Sequence, residues 1–155
     1  MHNNIFIFET AEKLTKEGIK SQSAQSIPNN SICVSCIGTG GVVSITTETC
    51  QTNQQINTVI PNDQLDLEWA YFTIRNLKET ITLFGATGAT MTNLSKGKFS
   101  SLKILLPDKK LRNSFHDKIH EAFSQIRAIV KSTNLLMKSR NLLLSRLISG
   151  KRRYG

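Results

Sequence analysis

The sequence predicts an α+β chain. A mixed sheet-and-helix domain occupies residues 1–107, a long C-terminal coiled-coil helix 108–148, and a basic tail 149–155. Three observations predict it. No Gly or Pro falls between Pro107 and Gly150, so a start and a stop signal bracket one uninterrupted segment. Within that segment apolar side chains recur at steps of four and three, a period of 3.5 held over about four heptads. Ahead of it, short apolar or alternating runs are separated by Gly, Pro and Asn clusters, the pattern of strands and turns.

The elements follow in order. Residues 4–8 hold the apolar string Ile5-Phe6-Ile7-Phe8 and read as a short strand. A helix is expected over 10–16, capped by Thr10 and closed before Gly18. Residues 21–30 are polar and turn-rich. Strands are expected over 31–37 and 42–46, joined by the tight turn Gly38-Thr39-Gly40-Gly41. After a polar loop over 47–53, residues 54–60 form another strand, ended by Pro61. Asp66 caps a helix with apolar positions Leu67, Ala70, Tyr71, Ile74 and Leu77, continuing through Ile81 and Phe84 until Gly85 and Gly88 break it. A last strand is expected over 102–106.

Pro107 then turns the chain into the long helix. Its stripe runs through Phe115, Ile119, Ala122, Ile126, Ile129, Thr133, Leu136, Leu143 and Leu147, broadened by Phe123, Val130, Met137 and Leu144. At 1.5 Å per residue the helix reaches roughly 60 Å, longer than a domain of the remaining size is wide. Part of the stripe therefore needs a partner helix, and Phe115, Ile119, Ala122, Ile126, Ile129, Leu136, Leu143 and Leu147 are the pairing candidates. Arg140 falls on this seam, where a charge fixes register or partner choice.

Charge separates the two parts. Residues 108–155 carry 12 basic and 3 acidic side chains, net +9, whereas residues 1–107 carry 8 of each, net zero. An excess confined to the helix and tail suggests a polyanion or an acidic protein partner. A chain of 155 residues holds one domain of about 100 residues plus the helix. No run of 18 apolar residues exists, so no membrane span is expected. Cys33, Cys36 and Cys50 make an odd set that fits free thiols in a reducing compartment, hence a cytoplasmic protein.

The loop over 85–98 has a composition suited to a nucleic acid. No acidic residue lies between Glu79 and Asp108, while Lys96, Lys98 and Lys103 are basic. Thr87, Thr90, Thr92, Asn93 and Ser95 offer small hydrogen-bonding side chains, and the glycines permit close backbone approach. A solvated glycine-rich loop has the same composition. Other chemistry finds little support. Cys33 and Cys36 have metal-ligand spacing, and His116 and His120 stand four apart. However, residues 37–115 separate the pairs, and strand positions i and i+3 point to opposite faces, so no metal site is expected. Gly38-Thr39-Gly40 lacks the third glycine of a dinucleotide fingerprint, and Gly97-Lys98 is followed by Phe99 rather than Ser or Thr. Asp108 after Pro107 is better suited to cap a helix than to bind a metal. No acidic-Pro-Pro-aromatic stretch of an amino-methyltransferase occurs. Neither an enzyme nor a cofactor is expected.

Several segments together resemble the specificity subunit of type I restriction-modification systems. They are Gly38-Thr39-Gly40-Gly41-Val42-Val43, Thr52-Asn53-Gln54-Gln55, Asn93-Leu94-Ser95 and Leu102-Lys103-Ile104-Leu105-Leu106-Pro107, followed by the helix end Leu142-Leu143-Leu144-Ser145-Arg146-Leu147-Ile148-Ser149-Gly150-Lys151. The likeness spans roughly residues 18–151. It implies a target recognition domain followed by a conserved spacer helix in a non-catalytic subunit. Such subunits have two recognition domains, each reading half of a split sequence in double-stranded DNA. Two helices paired as an antiparallel coiled coil set the distance between the halves. Methyltransferase subunits dock on the helices, and a restriction subunit joins them.

With one recognition domain and one helix, this chain is expected to be a half-subunit or truncated copy whose first strands are missing. Two copies could pair their helices as a homodimer. By position, the candidates for DNA contact are Thr39, Thr87, Thr90, Asn93, Lys96 and Lys98. The alternative expectation is a coiled-coil assembly module that binds other proteins without binding DNA itself.

Overall fold

A computed structural model describes residues 4–10, 12–86 and 92–148. Its centre is a four-stranded sheet of β1 (Phe6–Ile7), β5 (Val43–Thr46), β3 (Ile32–Ser35) and β7 (Ile56–Val59), in that spatial order. β1 runs parallel to β5, and the other pairings are antiparallel. Register explains the face that matters: Ile32 lies opposite Ile45 and Val34 opposite Val43, so all four share one face. That face packs with Leu67, Ala70, Tyr71 and Ile74 of helix α2 (Leu67–Asn76) and with Phe123 of the long helix α5 (Lys109–Ile148).

The C-terminal helix of the expected α+β architecture is present, capped by Asp108, whose Oδ1 accepts from the Leu111 N–H at 2.7 Å. Phe123 meets Phe6, Tyr71 and Phe72 edge-on, with centroids 5.6–5.9 Å apart. Arg127 lies over the Phe6 ring and donates to Asn30 Oδ1 and the Thr47 carbonyl. Arg112 pairs with Asp66 and donates to the Pro107 carbonyl. Among the described residues no helix is long and apolar enough to cross a membrane.

Four expectations are corrected. The first helix is α1 (Lys16–Ser21), not 10–16: the Thr10 hydroxyl bonds its own turn at Glu12, and Thr15 supplies the cap by accepting from Gly18. The strand expected over 31–37 divides at Cys36, whose N–H donates to Gln55 and whose carbonyl accepts from Leu94. Beyond it, β4 (Ile37–Gly38) pairs with β8 (Thr92–Asn93) instead of continuing in the central sheet. The helix after Asp66 divides at Leu77 into α2 and α3 (Lys78–Gly85). Residues 102–106 form no strand: no neighbouring strand pairs with them among the described residues, and Ile104, Leu105 and Leu106 are exposed. A further ribbon, β2 (Ser26–Ile27) with β6 (Cys50–Gln51), falls in stretches that read as loops. A short helix, α4 (Lys96–Ser100), follows β8.

Candidate nucleic-acid interface

The glycine turn is held by its own backbone and one serine. Gly38 and Gly41 both have φ of +76°, a region that favours glycine. The Ser35 hydroxyl donates to the Thr39 carbonyl and accepts from the Val42 N–H, and the Gly41 N–H donates to the Ser35 carbonyl. A Cβ on Gly41 would stand 2.7 Å from Cγ and 3.0 Å from Cα of Lys78, so the turn sits tight against the start of α3. These constraints leave Thr39 exposed at the tip.

The second loop meets this turn. Gly38 pairs with Thr92 and Ile37 with Asn93, while the buried Leu94 donates its N–H to the Cys36 carbonyl at 2.9 Å. Asn57 Nδ2 bridges the Leu94 carbonyl and the Cys36 sulfur. Ser95 then caps α4, accepting from the Lys98 N–H. Asn93, Lys96 and Lys98 are exposed on this anchored segment. Thr39 and Asn93 thus belong to one short ribbon, although 53 residues (40–92) separate them, while Lys96 and Lys98 of α4 follow Asn93 past the ribbon's Cys36 end, on the side away from Thr39. Thr87 and Thr90 lie outside the described residues.

The pairing candidates on α5 fall into two groups. Phe115, Ile119 and Ile126 are half-buried against the front domain, with Phe115 edge-on to Phe72. Ala122, Ile129, Leu136, Leu143 and Leu147 are exposed. The seam residue Arg140 donates to Asn141 Oδ1.

The joint between α2 and α5 holds a cluster that the sequence did not reveal. Asp63 pairs with Lys109 and Asp66 with Arg112. The N–H of Leu65 and then the Lys109 ammonium hold the Asp63 carboxyl below its usual range. Glu68, only 2% exposed, lies between His116 Nδ1 at 2.8 Å and His120 Nδ1 at 2.9 Å. The spacing of the histidines was visible in the sequence; the arrival of a glutamate 48 positions upstream of His116 was not. Cys33 and Cys36 do not join them. Both cysteines are buried in and beside β3, and desolvation pushes the Cys33 thiol up to about 11.

A family model for the type I restriction modification DNA specificity domain matches residues 2–136, and so covers the ribbon, the central sheet and most of α5. The chain belongs to that family. Over 152 residues, 97% of its length, this specificity-domain chain is 39% identical to the type I restriction enzyme HindI specificity subunit of Haemophilus influenzae. It spans 33% of that relative.

Proposed function

We propose that the chain recognises double-stranded DNA as a type I restriction-modification specificity subunit. In this reading residues 1–107 are the target recognition domain and residues 108–148 the spacer helix. Methyltransferase subunits and, through them, the restriction subunit are directed to a split site, while this chain performs no chemistry itself. One observation carries the reading: two loops far apart in sequence meet in the β4–β8 ribbon of a specificity-domain chain, next to a stretch without carboxylates. Lys96 and Lys98 grip phosphate, while Asn93, Thr39, Thr87 and Thr90 reach base edges, where an Asn suits adenine. The exposed half of α5 pairs with its counterpart in a second copy. An isologous dimer of that kind reads an interrupted palindrome.

Anisotropy titrations of labelled duplexes, with and without the methyltransferase subunit, test this. Replacing Lys96 and Lys98 together by Ala should weaken binding at all sequences alike and lower the slope of log K against log salt by about 1.8. Unchanged affinity removes both residues from the interface. Sedimentation as a monomer at every concentration, alone and with the methyltransferase subunit, removes the pairing.

A second reading has its own support in the exposed apolar side chains of Leu136, Leu143 and Leu147. These suit an assembly module that binds only protein. Failure to bind any duplex in the presence of the methyltransferase subunit, with assembly intact, would establish it.

A further inference from the structure

Besides the ribbon, one place gathers side chains capable of chemistry. His116 and His120 stand one turn apart on α5, so their rings lie side by side with centroids 4.5 Å apart. The first turn of α2 brings Glu68 up to them, and each carboxylate oxygen faces one Nδ1. One ligand atom from each residue lies within 4.8 Å of the others. We propose that Glu68, His116 and His120 bind a zinc-class divalent cation that fastens α5 to α2.

The donor set selects the class of ion. Two imidazole nitrogens and one carboxylate oxygen suit zinc and its d-block neighbours, whereas calcium and magnesium take oxygen ligands. Donors sharing one tetrahedral zinc stand roughly 3.3 Å apart, as bond lengths of about 2.0–2.1 Å require. The observed 2.8 and 2.9 Å separations, each to its own carboxylate oxygen, need to open by a few tenths of an ångström, while the set as a whole, within 4.8 Å, draws in towards that spacing. His120 has room to move, its side chain being 56% exposed. The arginines on either side of the cluster are engaged elsewhere, Arg112 with Asp66 and Arg127 with Asn30 and Thr47, so neither occupies the space between Glu68 and the imidazoles.

The surroundings supply the remaining coordination. A cleft of about 250 Å³ opens beside the cluster, and Asn30, Gln64 and Ser124 line it together with the three donors. Water entering there completes a four-coordinate site. The Ser124 hydroxyl lies 3.4 Å from His120 Nε2, an outer partner that orients the ring when Nδ1 holds the ion.

The test uses the full chain, stripped with a chelator and dialysed. Zinc is titrated in competition with a chromophoric chelator, and cobalt(II) is added separately to read its visible absorption. One equivalent per chain and a tetrahedral cobalt band are expected. His120→Gln, at a half-exposed position where the amide can still donate to Glu68, should abolish the band while its circular dichroism stays that of the native chain. It should also weaken zinc binding by more than the roughly 10–100-fold typical of outer-shell changes. Zinc should raise the melting temperature of the native chain and leave that of H120Q unmoved. A Cys33→Ser, Cys36→Ser double variant should keep both the band and the affinity. Failure of the native chain to take up stoichiometric metal overturns the proposal and leaves Glu68 as a hydrogen-bonded lock between two imidazoles. Uptake undiminished in H120Q overturns it equally, by placing the ion on other residues.

Discussion

Up to Arg127, α5 lays Phe115, Ile119, Phe123 and Ile126 on the front domain and pins its flanks with Arg112 and Arg127. Beyond Arg127 the same period continues through Ile129, Leu136, Leu143 and Leu147, all exposed, while Lys138 reaches back to Glu9. The two halves share their spacing and differ in what covers them. A heptad pattern therefore states that a stripe must be buried, not whether the covering comes from the same chain. Aromatic density distinguishes them: Phe115 and Phe123 lie in the packed half, and no aromatic residue lies between Phe123 and Tyr154.

The largest expected effect tests that contrast. Phe123→Ala removes a ring in contact with three others and should cost about 3–5 kcal/mol in urea unfolding, the range for buried Phe truncations. Leu136→Ala, at a position 70% exposed, should stay within about 0.5 kcal/mol when measured on the monomer. Comparable losses at both positions would mean that the outer half is also covered by its own chain.

Gly41→Ala is intermediate. It combines a positive φ with a clash against Lys78 backbone and side chain, and should cost about 1–3 kcal/mol. The same variant should loosen the ribbon, seen as faster amide exchange at Leu94.

The smallest effect concerns thiols. Because burial raises the Cys33 pKa to about 11 and also raises Cys36, both stay protonated at pH 8 and should resist alkylation until the chain unfolds. The sign for stability follows. Above the unfolded thiol value near 8.5, the unfolded chain releases a proton that the folded chain keeps, so Cys33 costs stability progressively as pH rises towards 11. Mass-spectrometric labelling at pH 8 would check the first statement, and unfolding midpoints between pH 8 and 10.5 the second.

Much of the architecture was legible because it depends on local pattern. The strands expected over 31–37, 42–46 and 54–60 contain β3, β5 and β7, and the long helix ends within one residue of its expected bounds. What escaped depends on long-range partners. The run Leu102-Lys103-Ile104-Leu105-Leu106 has strand composition but no pairing edge beside it. Ser26 and Ile27 look like loop yet pair with Gln51 and Cys50, as Gln51 Nε2 ties down Ile19, Gln22 and Ser26. In the candidate interface, loop composition singled out Asn93, Lys96 and Lys98, but only the ladder to Ile37 and Gly38 shows that Asn93 shares a ribbon with the Thr39 turn, with Lys96 and Lys98 following beyond its Cys36 end. The histidine pair illustrates the same limit, since its spacing was apparent and its third member was not.

The acidic joint also changes what a polyanion encounters. Asp63, Asp66 and Glu68 turn towards basic or imidazole groups of α5, and Glu9 towards Lys138. Of the eight carboxylates ahead of residue 108, that leaves Glu12, Glu17, Glu48 and Glu79, together with Glu68, which meets no Lys or Arg among the described residues, to offset eight Lys and Arg. Pairing with Lys109, Arg112 and Lys138 therefore leaves the formally neutral head a surplus of three positive charges, and the rod gives up that much of its own surplus to produce it.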